Sequence, residues 1–223
     1  KTSLTWVYQG KKLPIQTGRE LLTKLSELCD KVYHAAPRIE NELINRRILS
    51  SAAAAARMRL VELMFANADK PLLGFSADKN PPEKSMYLSV LQQARLHREV
   101  QGVWTIGDPS PDDPCQVLPA LSRIRKIISE QPDTRVPLDH IFRELRLAPY
   151  GLRDGLIPLL LAVIAIADEQ EVAFYKNGTF LSELHQEAFL QLTKNPKDFE
   201  LQYCKIEGVR SELFVKLAEI LKV

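Results

Sequence analysis

The run Tyr150-Gly151-Leu152-Arg153-Asp154-Gly155-Leu156-Ile157-Pro158-Leu159-Leu160-Leu161-Ala162-Val163-Ile164-Ala165-Ile166-Ala167-Asp168, closed by Glu171-Val172-Ala173-Phe174-Tyr175-Lys176-Asn177-Gly178-Thr179-Phe180-Leu181, decides how this chain is read. Past Asp154 its first part is apolar on every side, which predicts a helix over Tyr150 to Asp168 that is buried all round. The apolar run from Leu156 to Ala167 is interrupted by Pro158 and falls short of the about 20 residues a bilayer crossing needs. In the second part, β-prone residues flank Asn177-Gly178, a dipeptide that favours the type I′ turn, and this predicts an antiparallel hairpin.

Two further helices are predicted just upstream. Val117 to Ser129 carries Leu118, Leu121, Ile124, Ile127 and Ile128 on one side, and Leu138 to Leu147 follows it. Downstream come a short helix from Gln186 to Thr193, a strand from Phe199 to Tyr203 and a closing amphipathic helix from Val209 to Leu221.

The same order, helix then helix then hairpin, is expected nearer the start. Ser50 or Ser51 caps a helix running through Ala52 to Ala56 and on to Phe65. A loop from Asp69 to Pro82 leads to a helix over Glu83 to Ala94, and a hairpin turns at Gln101-Gly102 between Leu96 to Glu99 and Val103 to Ile106. Ahead of this unit lies a hairpin around Gln9-Gly10. A helix capped by Thr17 or Gly18 follows, with Leu21, Leu22, Leu25, Leu28, Cys29 and Val32 at helical spacing, and then a short helix over Pro37 to Arg47.

Between the two repeats, Gly107-Asp108-Pro109-Ser110-Pro111-Asp112-Asp113-Pro114 reads as a linker that prolines stiffen and acids keep solvated. The expected organisation is therefore a first unit over 1–106, the linker over 107–114 and a second unit over 115–223. The expected fold is mainly α with small antiparallel β-hairpins, arranged as two winged-helix-like units, because a helical pair followed by a hairpin is the wiring of that motif.

Composition narrows the function classes. Across 223 residues, 30 Lys and Arg stand against 28 Asp and Glu for a net charge of +2, so no strong overall field captures a polyanion. Three widely spaced cysteines, Cys29, Cys115 and Cys204, argue against a disulfide framework and fit a reducing cytoplasm. The stretch after Lys1 gives no sign of a secretion signal, and no membrane association is expected.

Catalytic signatures are missing as well. No G-x-x-x-x-G-K-[ST] loop occurs, and no G-x-G-x-x-G follows a predicted strand, so this segment has no recognisable phosphate cradle and no cofactor is expected in it. His34, His97, His140 and His185 lie in separate elements without metal-ligand spacing to one another or to a cysteine. Nothing resembles a nucleophile elbow.

Three stretches stand out. Ala36 to Arg47 followed by Ser50 to Arg59 holds five arginines against two acids, next to a run of five alanines. One reading puts Arg46, Arg47, Arg57 and Arg59 on a phosphate. The other pairs Arg38 and Arg46 with Glu40 and Glu42 along their helix, while the alanines pack a tight helix crossing. In Ala148 to Pro158, two glycines and the prolines predict a fixed turn, and Arg153 beside Asp154 offers either an anion site or a simple helix start. On the wings, Arg98 with His97 and Lys176 with Asn177 are positioned to touch nucleic acid. The apolar character of Tyr150 to Asp168 beyond Asp154, however, favours protein packing over DNA reading.

These same residues carry a resemblance. Ala36 to Arg47, Ser50 to Arg57, Pro149-Tyr150-Gly151-Leu152-Arg153-Asp154-Gly155 and Glu171 to Leu184 resemble the distal part of large bacterial P-loop ATPases of phage-defence gene clusters, of the BREX type. The resemblance runs along nearly the whole chain and rests on phrases and their order. It implies a segment that follows an AAA-like nucleotide-binding module and serves as a regulatory, partner-binding or DNA-contacting region. The ATP-binding motifs of such proteins do not occur here, so no catalytic residue carries over.

The expectation is thus a non-catalytic accessory module of a defence-associated ATPase. Its partners would be other domains or subunits of a larger complex, with double-stranded DNA as a second class. Two rivals are a stand-alone winged-helix DNA-binding protein and an enzyme with an unfamiliar site.

Overall fold

A computed structural model describes residues 4–46, 48–132, 134–182, 184 and 186–204. Strands β1 (Trp6–Tyr8) and β2 (Lys11–Leu13) precede helices α1 (Gly18–Val32), α2 (Glu42–Asn45) and α3 (Ser51–Ala66). Helix α4 (Pro82–Met86) continues into a π-helical stretch, Tyr87–Gln92, and leads to β3 (His97–Val100) and β4 (Val103–Ile106). Then come α5 (Leu118–Ser129), β5 (Val136–Pro137), α6 (Leu138–Arg146), α7 (Ile157–Ala167), β6 (Val172–Lys176), β7 (Thr179–Leu181), α8 (Gln186–Lys194) and β8 (Phe199–Tyr203). About 47% of the described residues are helical and 15% are in strands, a mainly α fold with small antiparallel sheets. The closing helix expected over Val209 to Leu221 lies outside the described residues, as does Arg47.

Helix α7 is the hub. Nine of its eleven residues are buried, and α3 packs across it. Ala53 and Ala56 on α3 are both buried, so their small side chains let the two backbones approach. Ser50 starts α3 by accepting a hydrogen bond on Oγ from the Ala53 amide at 3.2 Å. Phe189 of α8 meets Phe65 of α3 with ring centroids 5.9 Å apart, closing the core from that side.

All three hairpins turn on two residues with positive φ, at Gln9-Gly10, Gln101-Gly102 and Asn177-Gly178, as the twist of paired strands demands. The last hairpin is larger than expected. Strand β8 pairs antiparallel with β6 on one side and with β5 on the other, giving a four-stranded sheet in the order β5-β8-β6-β7.

Four expected elements differ in the structure. Residues 150–156 are not helical: Gly151 has φ +57, and the Leu152 amide bonds back to the Leu145 carbonyl at 2.8 Å, so α7 begins only at Ile157 with Pro158 in its first turn. The helix expected over Pro37 to Arg47 shrinks to Glu42–Asn45, because the Arg38 amide is drawn to the Cys115 carbonyl at 2.8 Å and Asn41 caps the chain only afterwards. The Glu83 to Ala94 helix widens midway into a π-helical stretch, where the Gln93 amide reaches the Leu88 carbonyl five residues back.

The fourth difference concerns 107–114. This stretch is not a free tether. Asp108 pairs with Arg125 at 2.6 Å, Asp112 with Arg95 at 3.2 Å, and the Asp113 carboxylate caps α5 by accepting from the Val117 and Leu118 amides at 3.0 and 2.9 Å. Buried residues from both sides, from Ile39 to Ile106 and from Cys115 to Leu201, form one apolar cluster. The boundary read at the prolines therefore divides a pattern of elements that share a core.

Candidate interaction surfaces

The arginines offered to a phosphate are distributed, and most are engaged within the protein. Arg57 lies on the buried side of α3 and is 7% exposed. Its Nη1 donates to the Asp154 carbonyl at 3.0 Å, while its Nε is buried with no partner. Burial lowers the pKa of this guanidinium, and the charge of Asp154 works in the opposite direction. An unpartnered buried donor costs about 1–3 kcal/mol, so Arg57 holds the turn ahead of α7 at some expense.

Arg59, one helical step away, makes a two-pronged contact with Glu83, Nε and Nη2 each 3.0 Å from a carboxylate oxygen. This pair holds the Glu83 carboxyl below its ordinary range. Arg46 is exposed and sits 3.8 Å from Glu42 along the same turn, whereas Arg38 lies ahead of α2 and outside any helix. Arg98 donates to the carbonyls of Arg95 (2.7 Å) and Asp108. Lys176 donates to Gln191 and lies 6.0 Å above the Phe199 ring. Arg153 is exposed on the turn before α7. Among the described candidates only Arg57 and Arg153 come near one place, through their shared neighbour Asp154.

Sequence reading missed Arg146, Arg135 and Tyr33. Arg146 binds the Asp154 carboxylate at 2.6 Å. Arg135 stacks 3.9 Å above the Tyr175 ring and donates to the Gly178 carbonyl at 2.9 Å, bracing the β6–β7 turn. Tyr33 lies against Gly151, where a Cβ would come within 2.6 Å of its ring. None of these partners sits at a helical or strand spacing in the chain, so no local signal announces them.

What remains open is largely apolar. β1, β2 and α1 form an arm in which no residue of α1 is buried, although a complete capping box, Thr17 with Glu20, starts the helix. Leu22 and Leu25 are 68% and 47% exposed, and with Val32 they form one stripe at helical spacing. Val7 of β1 and Leu4 ahead of it are exposed too. A cleft of about 490 Å³ separates the base of the arm from the α7 turn, lined by Cys29, Tyr33, Arg146, Gly151, Arg153 and Asp154.

No protein-family model, curated protein or solved structure matches this chain. Its chemistry must therefore be judged from its own residues. Among the described residues no group of three or more His, Cys, Asp or Glu is placed to hold a metal, and no helix is long and apolar enough to cross a membrane. Burial pushes the Tyr87 hydroxyl up to about 12 and the His97 imidazole down, but these two face each other inside the core and do not line the cleft. Cys115, its thiol raised by burial and by Asp113, is likewise enclosed. The three groups shifted mainly by burial, Tyr87, His97 and Cys115, thus lie apart from the cleft, whereas the exposed Cys29 lines it.

Proposed function

We propose that this chain is a non-catalytic docking module of a larger ATPase of the phage-defence type, acting in the cytoplasm and contacting other domains or subunits through its N-terminal arm. One observation carries the reading: α1 is capped as a stable helix and amphipathic, yet among the described residues none of its side chains is fully buried and Leu22 and Leu25 stand largely open. Contiguous apolar surface left exposed in this way marks a contact surface. The resemblance of the arginine, Pro149 to Gly155 and Glu171 to Leu184 stretches to BREX-type ATPases supplies the larger context.

A winged-helix reading of residues 118–181 is supported by the order α5-β5-α6-α7-β6-β7. The insertion of β8 between β5 and β6 departs from the simple motif. In that reading α7 would be the recognition helix, and its burial on nine of eleven residues favours protein contact over DNA reading.

The test uses the parent assembly carrying Leu22→Asp and Leu25→Asp together. The expected result is a chain with unchanged circular dichroism and melting temperature that no longer co-purifies with its companions. Retained assembly in the double variant, ATP turnover by this chain alone, or salt-dependent duplex binding by it would each overturn the reading.

A further inference from the structure

His97 is 2% exposed and stands where three parts of the fold meet. Its Nε2 lies 3.0 Å from the Ala68 carbonyl at the end of α3, its Nδ1 lies 2.9 Å from the Tyr87 hydroxyl of the π-helical stretch, and its ring lies 5.0 Å from the Trp104 indole of β4. A carbonyl only accepts, so Nε2 carries the hydrogen. Nδ1 is then a lone pair, and Tyr87 must donate to it.

We propose that His97 is a proton-operated latch: as the neutral ring it ties the β3–β4 hairpin to α3 and to the π-helical stretch, and a proton taken up from solvent at Nδ1 releases the hairpin.

Protonation turns both ring nitrogens into donors. The new N–H then points at the Tyr87 oxygen, and the hydroxyl must rotate to accept. Tyr87 is fully buried, and among the described residues its hydroxyl has no partner other than His97, so its own hydrogen is stranded. The positive charge would also sit among Trp104, Tyr87 and, behind Tyr87, Phe75 at 5.7 Å between centroids.

The groups that face the ring are Tyr87 from the π-helical stretch, Trp104 from β4 and the Ala68 carbonyl from the end of α3, and Tyr87 is the titratable one among them. Asp69 and Lys70 follow Ala68 and are exposed; Glu99 shares the strand face of His97, opposite Trp104, and is exposed as well. Arg98 is turned to the carbonyls of Arg95 and Asp108. None of these charges bonds to the ring, and exposed charges are too well solvated to hold an imidazolium in place.

The sign follows from linkage. Burial, opposed by the bond to Ala68, holds His97 below its ordinary value of 6.5. The latched state therefore binds fewer protons than the open one once the pH falls below 6.5, and its advantage is full above that value and declines beneath it.

The experiment follows the ring nitrogens of His97 by NMR and the amide exchange of residues 98–105, corrected for intrinsic rates, in the full chain from pH 7.5 to 5. The expected result is an Nε2–H tautomer with a midpoint below 6.5. Hairpin exchange should accelerate by up to about tenfold per pH unit below 6.5 while the amides of α7 stay protected. His97→Gln should abolish the acceleration. Tyr87→Phe, which removes the donor to Nδ1, should move it to higher pH and decides the matter should His97→Gln fail to fold. An Nδ1–H tautomer, a midpoint at or above 6.5, pH-independent hairpin exchange, equal acceleration in α7, or no upward shift in Tyr87→Phe would overturn the latch.

Discussion

Helices α7 and α1 use the same kind of side chain for opposite ends. In α7, Leu159, Leu160, Leu161 and Ile164 surround the axis and are fully buried, so the helix is soluble only when the rest of the chain covers every face. In α1, apolar residues make one stripe beside Arg19, Lys24, Glu27 and Lys31, and the helix stands in water on the strength of its cap and polar side. An all-round apolar helix must be enclosed by its own chain. A striped helix can wait for another surface.

The sharpest way to break this contrast is to make the same truncation in both helices. Leu160→Ala should lower unfolding free energy by about 2–5 kcal/mol in a denaturant titration, because a cavity opens at the hub. Leu25→Ala should change it by within about 0.5 kcal/mol, since the side chain is 47% exposed and lies outside the buried core. Comparable losses at both positions would mean that the arm packs on the body after all.

A smaller effect is expected at the turn leading into α7. Gly155 has the Ile44 carbonyl oxygen of α2 at 2.3 Å from where a Cβ would stand, and backbone cannot move aside as a side-chain tip can. Gly155→Ala should destabilise the protein by about 1–3 kcal/mol, read by the same titration, as overpacking does. A neutral result would show that α2 is not held against this turn.

A local effect is expected in the arm. Thr17→Ala removes the side-chain acceptor of the capping box, a Glu20 amide bond of 3.2 Å, and should cost about 1 kcal/mol of α1 helicity. Amide exchange should accelerate in residues 18–25 and remain unchanged in α7. Loss of protection in both helices would merge the two regions into one cooperative unit.

Much of the fold was legible because its signals are local. Gln9-Gly10, Gln101-Gly102 and Asn177-Gly178 each carry the backbone freedom a tight hairpin needs, and the structure turns at all three. The apolar run after Leu156 announced the hub, and the pairs Ser50-Ser51 and Thr17-Gly18 announced the starts of their helices, of which the structure uses Ser50 and Thr17 as caps. The arginines were legible as a cluster and illegible as a function. Arg57 is 97 positions from Asp154 and Arg59 is 24 from Glu83, so their partners cannot be found by any period. The proline-rich stretch misled for a related reason: its composition suits a linker, whereas Arg95 and Arg125, which pin it, lie outside it.

The sequence by itself determined where the hairpins turn, where most of the longer helices lie and that one helix must be enclosed, since turn chemistry and apolar periodicity act within a few residues. Only the tertiary structure decided that β8 enters the sheet between β5 and β6, that one core crosses residues 107–114, that most of the candidate arginines have partners within the protein and that the stripe of α1 is left open among the described residues. Those outcomes depend on which distant surfaces meet, and burial energy is indifferent to separation along the chain.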